Sequence, residues 1–333
     1  MTDKSFRAFV AEEQGNGHFA NAVKDQRISQ LPAGELLIKV LYSSLNYKDA
    51  LSASGNRGVT RNYPHTPGID AAGVVEWSSD EKFLPGDHVI VTSYDLGMNT
   101  SGGFGGYIRV PLAWALKLPS KLNPQESMIF GTAGFTAGMA IYQIVSKIKP
   151  GGGEILVTGA TGGLGCLALA ILTKLGYRVA AGTGKTDQAD WLTRLGAVQI
   201  VSREELLAGK ERPLLKPRWS AVVDTVGGDI LANAIKSTLP DGIIAVCGNA
   251  LSNELNINVF PFILRGVSLV GIDSQNCPML HRIDIWNLLA DEWKPNLNND
   301  IFRIISLEQL AEKIELMLQG NIKGRIVIEH SHQ

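Results

Sequence analysis

The sequence predicts an α/β protein: a β-rich first part joined to a doubly wound, parallel-sheet domain. Three observations carry this. A glycine turn, Val157-Thr-Gly-Ala-Thr-Gly-Gly-Leu-Gly165, sits between an apolar run, Glu154-Ile-Leu-Val157, and a segment of helical period. Beyond it, short apolar runs alternate with helical segments, the pattern of a parallel sheet. Before it, from Phe6 to about Leu118, short β-rich runs are broken by Gly, Pro, Asn and Asp.

The 333 residues suggest two domains, and 45% hydrophobic with 19% charged residues describes an ordinary globular chain. A net charge of -1 gives no bulk attraction for nucleic acid or an anionic membrane. No apolar run approaches the roughly 20 residues of a membrane-spanning helix, and the start lacks a signal-peptide core. Cys166, Cys247 and Cys277 are scattered and odd in number, which suits a reducing compartment. The expected location is the cytoplasm.

In the first part, Glu35 to Tyr42, Gly73 to Trp77 and His88 to Thr92 read as strands, and Pro85-Gly-Asp as a turn. One early helix is expected from Tyr47, directly after Ser43-Ser-Leu-Asn46, with Lys48 and Asp49 paired on its surface. A helix opens near Asn123 and runs to Ile148, the entry to the second domain. After the glycine turn, Leu164, Leu167, Ala168, Ile171, Leu172 and Leu175 recur at helical spacing, with Gly176 at the end. Strands follow at Tyr177 to Ala181, Val198 to Val201, Ala221 to Asp224, Gly242 to Cys247 and Ser268 to Ile272. A helix from Asp187, its N-cap, to Leu195 and a capping box at Ser202-Arg-Glu-Glu205 fall between them. The tail returns to a helix, Leu307 to Leu318, and a strand, Gly324 to Glu329, expected to rejoin the first domain. The domains are thus 1–124 with 298–333, and 125–297.

The turn implies a dinucleotide. Gly159 and Gly162 permit positive φ or close backbone approach, Gly165 lets the helix press on the sheet, and the helix start offers free N–H groups and a favourable dipole to a pyrophosphate. Gly163 and Leu164 complete the turn. At the next strand end, Gly182-Thr183-Gly184-Lys185-Thr186, no carboxylate awaits the adenine ribose of NAD. Lys185 with two threonines fits a 2′-phosphate instead. An acid-to-base swap near a phosphate, at about 4 kcal/mol per charge pair near a surface, discriminates by two to three orders, so NADPH is the expected cofactor.

Zinc needs clustered Cys and His. The histidines are His18, His65, His88, His281, His330 and His332, the last two in a tail expected to be loose, and there is no C-x-x-C. No metal is expected.

Six stretches carry a family resemblance: Ser43-Ser-Leu-Asn-Tyr-Lys-Asp-Ala50, Pro67-Gly-Ile-Asp-Ala-Ala-Gly73, Ile129-Phe-Gly-Thr-Ala-Gly-Phe-Thr-Ala137, the glycine turn, Asp224-Thr-Val-Gly-Gly228 and Pro261-Phe-Ile-Leu-Arg265. Through them the chain resembles the zinc-independent quinone oxidoreductase branch of the medium-chain dehydrogenase/reductase superfamily, and within it the quinone oxidoreductases and NADPH-dependent acryloyl-CoA reductases. The resemblance implies a Rossmann NADPH-binding domain and a β-rich, GroES-like catalytic domain. Where zinc-dependent relatives have a ligand Cys and Gly-His-Glu, this chain has Ser-Ser-Leu-Asn46 and Gly-Ile-Asp70. By similarity Tyr47 lies beside the nicotinamide, Thr161 to Leu164 hold the pyrophosphate and Thr183 to Lys185 the 2′-phosphate. Asn249, Ile263 and Ser274 match positions at the nicotinamide end, Asn321 a late-loop contact, and Thr136 is a further expected cofactor-binding residue. Relatives have Ser and Arg at 183 and 185, so Lys185 keeps the charge but gives up bidentate contact.

The expected reaction is hydride transfer from NADPH to a carbon conjugated with a carbonyl, in a quinone or an α,β-unsaturated thioester such as acryloyl-CoA. Charge develops on the carbonyl oxygen and a proton must follow. Tyr47, a phenol ordinarily protonated at neutral pH, is a candidate donor, and Asn46 a candidate polarising group; equally, Asn46 can cap the helix and Tyr47 can pack under the cofactor. A zinc-type alcohol dehydrogenase and a non-catalytic NADPH-binding sensor or structural protein are the alternatives. The expected partners are a small electrophile and, through the edge strand Ser268 to Ile272, a second copy in a homodimer.

Overall fold

The computed structural model describes residues 3–298 and 300–331. His332 lies outside them. The chain forms two compact units, one of Met1–Thr132, Gln275–Ala290 and Leu297–Gln333, the other of Ala133–Ser274 and Asp291–Asn296.

The first unit is built on a seven-stranded sheet. Its strands run in the order Phe302–Ile305, Arg325–Glu329, Leu36–Ser44, Asp70–Ser78, His88–Thr92 and Ala115–Lys117, with Tyr107–Val110 also paired to Leu36–Ser44. All pairings are antiparallel except the first. Alternating apolar residues such as Leu36, Ile38 and Val40 send one side of each strand into a core with Val75, Val89 and Val91. The tail strand does rejoin this sheet, with Val327 opposite Ser44. A second core joins Leu45, Ala50 and Ala53 to Leu310, Ile314 and Ile328, fixing the short helix Tyr47–Ala53 against the C-terminal helix Leu310–Leu318. The expected loose tail is instead anchored at His330, which is buried and shares a 3.2 Å hydrogen bond with Ser43 Oγ.

The second unit holds a six-stranded parallel sheet in the order Ala197–Ser202, Arg178–Thr183, Glu154–Thr158, Trp219–Asp224, Thr238–Val246, Ser268–Gly271. Chain order runs outward in both directions from Glu154–Thr158. That strand therefore stands at the topological switch point, where doubly wound sheets bind ligands beyond the strand ends. Val157, Leu156 and Ile155 are fully buried, as a strand covered on both faces requires.

Four expectations are corrected. The helix Pro124–Val145 is not continuous, because Gly131 has φ 50° and ψ -155°. A Cβ at 131 would collide with Asp70 Oδ2 and would lie 2.5 Å from Ser44 Oγ, so the backbone breaks where it meets a polar cluster. By length and composition this helix is apolar enough to cross a membrane, although no such run was expected; most of it is buried within the fold, as in a core helix. The segment 275–290 belongs to the first unit, since buried Arg282 donates to the Thr92 carbonyl and Oγ1 and Trp286 meets Phe130 edge-on. Finally, Asp187 lies inside a 3₁₀ turn, Thr186–Gln188, and the helix after it is only Ala189–Arg194, with Gln188 as its N-cap.

Candidate active site

The glycine turn is built as its sequence demands. Gly159 adopts φ 60°, and a side chain there would strike Thr225 Oγ1. Gly162, extended at φ -77°, is the N-cap of the helix Gly163–Lys174. A Cβ on Gly165 would fall on the Gly159 carbonyl oxygen, so only glycine lets this helix lie so close to the turn. The first N–H groups of a helix have no acceptor within it, so this helix start is open to an anion.

Around the turn, side chains lock the neighbouring strand ends. Asp224 is fully buried, accepts from Thr158 Oγ1 at 2.6 Å and Gly227 N–H at 2.8 Å, and has its carboxyl pushed up by burial. Thr161 and Thr183 are both buried, with their hydroxyls 3.5 Å apart. Thr183 Oγ1 also accepts the Lys185 N–H at 2.9 Å, so these three expected cofactor residues form one group with Gly184. Burial lowers the Lys185 ammonium, and Asp187 opposes that shift. Thr136 donates to Ser274 at 2.8 Å, which makes a second group. Asn249 is exposed on the loop after Thr238–Val246, and Ile263 is exposed on the helix Phe260–Arg265.

The first unit carries the reaction-centre candidates. Tyr47 opens its helix 52% exposed, and its hydroxyl has no partner among the described residues. Asn46 before it is buried and fully committed. Its Nδ2 donates to Asp70 Oδ2 at 2.7 Å and to the Ser44 carbonyl at 3.3 Å, while its Oδ1 accepts from Arg325 Nη1 at 3.2 Å. Swapping the amide's O and N would set carbonyl against carboxylate and NH₂ against guanidinium, so its orientation is forced. No N–H is left for a substrate. Asn46 is the N-cap residue of that helix, as one of its two expected readings had it, and Asp49 completes the capping box by accepting the Asn46 N–H at 2.8 Å. Asn321 lies on the turn after Leu310–Leu318, bonded to Gln319 at 3.2 Å.

Asp49 is not the surface partner of Lys48. It is fully buried, takes the Ile69 N–H on its other oxygen at 2.8 Å, and is raised to about 7 by burial and by the nearby Asp70. Lys48 donates to Gln275 at 2.6 Å.

Sequence reasoning missed the centre of this cluster. Asp70 accepts Ser44 Oγ at 2.6 Å, Thr132 N–H at 2.9 Å and Thr132 Oγ1 at 2.6 Å besides Asn46. Arg325 donates to Ser44 Oγ at 2.9 Å and to the Ile129 carbonyl at 2.9 Å. A lone arginine opening the apolar strand Arg325–Glu329 was the available signal. These residues do not fit zinc. They offer a carboxylate, a hydroxyl and an amide already engaged with one another, with a guanidinium among them and neither thiolate nor imidazole. Among the described residues no group of three or more His, Cys, Asp or Glu side chains is placed to hold a metal.

Comparison with known proteins agrees with this architecture. The alcohol dehydrogenase GroES-like domain family matches residues 32–120, and the zinc-binding dehydrogenase family matches 163–289. The chain is 41% identical over 326 residues to YhfP of Bacillus subtilis, provisionally named a quinone oxidoreductase, covering 97% of this chain and 98% of that one. The crystal structure of YhfP with NAD bound superposes with a TM-score of 0.95, covering 98% and 99% of the two chains. Acrylyl-CoA reductase AcuI of Ruegeria pomeroyi is 40% identical over 326 residues, 97% of this chain and 99% of its own. The yhdH oxidoreductase of Salmonella enterica, crystallised with NADP, is 37% identical with a TM-score of 0.94 over 98% of this chain and 100% of that one.

Proposed function

The chain belongs to the medium-chain dehydrogenase/reductase superfamily, in the branch that holds YhfP and AcuI, and from that premise we propose an NADPH-dependent reductase of α,β-unsaturated carbonyl compounds, with acryloyl-CoA and quinones as its candidate substrates. The observation that carries this reading is the glycine turn at the switch point, with Thr161, Thr183 and Lys185 grouped beside it and no carboxylate within the Thr183-Gly184-Lys185 run.

Bound NADPH supplies the hydride. The helix start at Gly163 to Gly165 seats the pyrophosphate through backbone N–H groups, and Thr183, Gly184 and Lys185 receive the 2′-phosphate. Thr136, Ser274, Asn249 and Ile263 form the nicotinamide end, with Asn321 a later contact. Tyr47, exposed and without a partner, delivers the proton or hydrogen-bonds the carbonyl oxygen as charge develops there. Asn46, with both amide protons engaged, does not touch the substrate: held by Asp70 and Arg325, it fixes the helix start from which Tyr47 projects.

Among the described residues the edge strand Ser268–Gly271 is paired on one side only, and Leu269 on it is exposed. We assign this edge to a second copy, which light scattering tests: a dimer is expected and a monomer rejects it. That Cys166, Cys247 and Cys277 form no disulfide among the described residues suits the cytoplasm. The activity is tested by NADPH consumption with acryloyl-CoA and with small quinones, side by side. Turnover of either supports the reading, and tight NADPH binding without oxidation by any electrophile contradicts it.

A further inference from the structure

The helix that carries Tyr47 is only Tyr47–Ala53, too short to hold a direction by itself. The Tyr47 side chain is half exposed and its hydroxyl has no partner among the described residues, so the place of the phenol depends on where its backbone is held. The chain is gripped just before it. Leu45 N–H donates to the Ile326 carbonyl at 3.0 Å, and Arg325 Nη1 donates to the Leu45 carbonyl at 3.3 Å. The Asn46 side chain is committed to Asp70 and Arg325. The Asn46 N–H remains, and Asp49 takes it.

Asp49 also reaches further than a capping box requires. Its Oδ2 accepts the Asn46 N–H at 2.8 Å, while its Oδ1 accepts the N–H of Ile69, 20 positions further on, at 2.8 Å. Ile69 precedes Asp70, whose Oδ2 accepts Asn46 Nδ2 at 2.7 Å. A closed ring results, from the Asn46 N–H through the Asp49 carboxyl to Ile69, along one residue to the Asp70 carboxylate, and back to the Asn46 amide. All four residues are buried, so water does not compete for these bonds. Helix capping accounts for the first bond of Asp49 and not for the second. The second ties the helix start to the strand Asp70–Ser78, at the residue beside the one that holds Asn46.

We propose that Asp49 is a positioning residue for the reduction: it bolts the first turn of the Tyr47 helix to the chain entering Asp70, and so sets where the phenol meets the substrate's carbonyl oxygen. This rests on the reading of Tyr47 given above. Asp49 is itself fully buried and acts through Tyr47.

The test is kcat, KM and the Kd for NADPH, with acryloyl-CoA and with a small quinone, on the wild type, Tyr47→Phe, Asp49→Asn, Asp49→Glu and the double variant Tyr47→Phe/Asp49→Asn. Circular dichroism and denaturant unfolding give the folded fraction of each. Asparagine keeps one acceptor and turns an NH₂ toward the other N–H; glutamate keeps both acceptors but lengthens the link by a methylene. Both single variants at 49 are expected to fold and to lower kcat by about 10- to 100-fold, as a misplacement of about 1 Å does, with KM and Kd within about twofold of the wild type. The double variant is expected to be no slower than Tyr47→Phe alone, because the tie has no hydroxyl left to position. A general structural defect would instead multiply the two losses. A slow Tyr47→Phe beside a fully active Asp49→Asn would overturn this proposal alone. So would losses that multiply in the double variant, or an Asp49→Asn chain that does not fold, either of which makes Asp49 a structural residue. A fully active Tyr47→Phe would overturn the reading of Tyr47 and this proposal with it, and a wild type that reduces neither substrate would overturn the reductase reading and both.

Discussion

Tyr47 and Asn46 are adjacent in sequence and opposite in character. One is exposed with a free hydroxyl; the other is buried with every amide hydrogen bond made. Tyr47→Phe is accordingly expected to lower kcat by about 100-fold or more, in line with the loss of a positioned proton donor, while leaving the Kd for NADPH unchanged. Full activity in that variant would remove Tyr47 from the chemistry. Asp49 behaves differently. Raised from 3.8 to about 7, it binds more protons in the folded chain than in the unfolded one between those values. Its contribution to stability is therefore complete below pH 3.8 and is lost as the pH rises through about 7. Denaturant unfolding of Asp49→Asn across that window should show a flatter fall in stability than the wild type, and an identical slope would contradict the buried, proton-holding carboxyl.

The glycine-turn element tolerates little change. Gly165→Ala places a methyl group on a backbone carbonyl that has no freedom to withdraw, so a cost of about 1–3 kcal/mol in unfolding free energy and a weakened NADPH complex are expected together. The strand Arg325–Glu329 is tied in by Arg325, which is buried and bonded to Ser44, Asn46 and two backbone carbonyls. Arg325→Met leaves those acceptors unpaired beside Asp70; a loss of about 3–5 kcal/mol, read by denaturant unfolding, is expected. At this scale the sequence was legible where chemistry is local. Glycines before a helical period, the Ser202 capping box and Gly176 after its helix are set by neighbours within a few residues, and the structure has them as expected. It was not legible where partners are distant. Asp49 looked like a surface residue because a seven-residue helix carries no periodicity that marks its buried face. Asp70 and Arg325 stand 255 positions apart, yet both bond Asn46 and Ser44, and no short-range pattern links them. The break at Gly131 has the same origin, since the oxygen atoms that it avoids come from other strands.

For the whole molecule, the division into a β-rich unit and a doubly wound unit followed from texture alone, whereas the return of 275–290 to the first unit depended on buried Arg282 reaching Thr92. A ligand held by the second unit's turn binds the folded chain and not the unfolded one. Saturating NADPH at about 100 times its Kd should therefore add about 2.7 kcal/mol to stability, and NADH at the same concentration less. The most direct measurement is the oxidation of NADPH by acryloyl-CoA catalysed by the purified chain, with NADH run in parallel. The account expects turnover that prefers NADPH by two to three orders in kcat/KM, roughly the worth of a charge pair at the 2′-phosphate. Turnover with NADH equal to that with NADPH, or no oxidation of either by acryloyl-CoA and by small quinones alike, would contradict it.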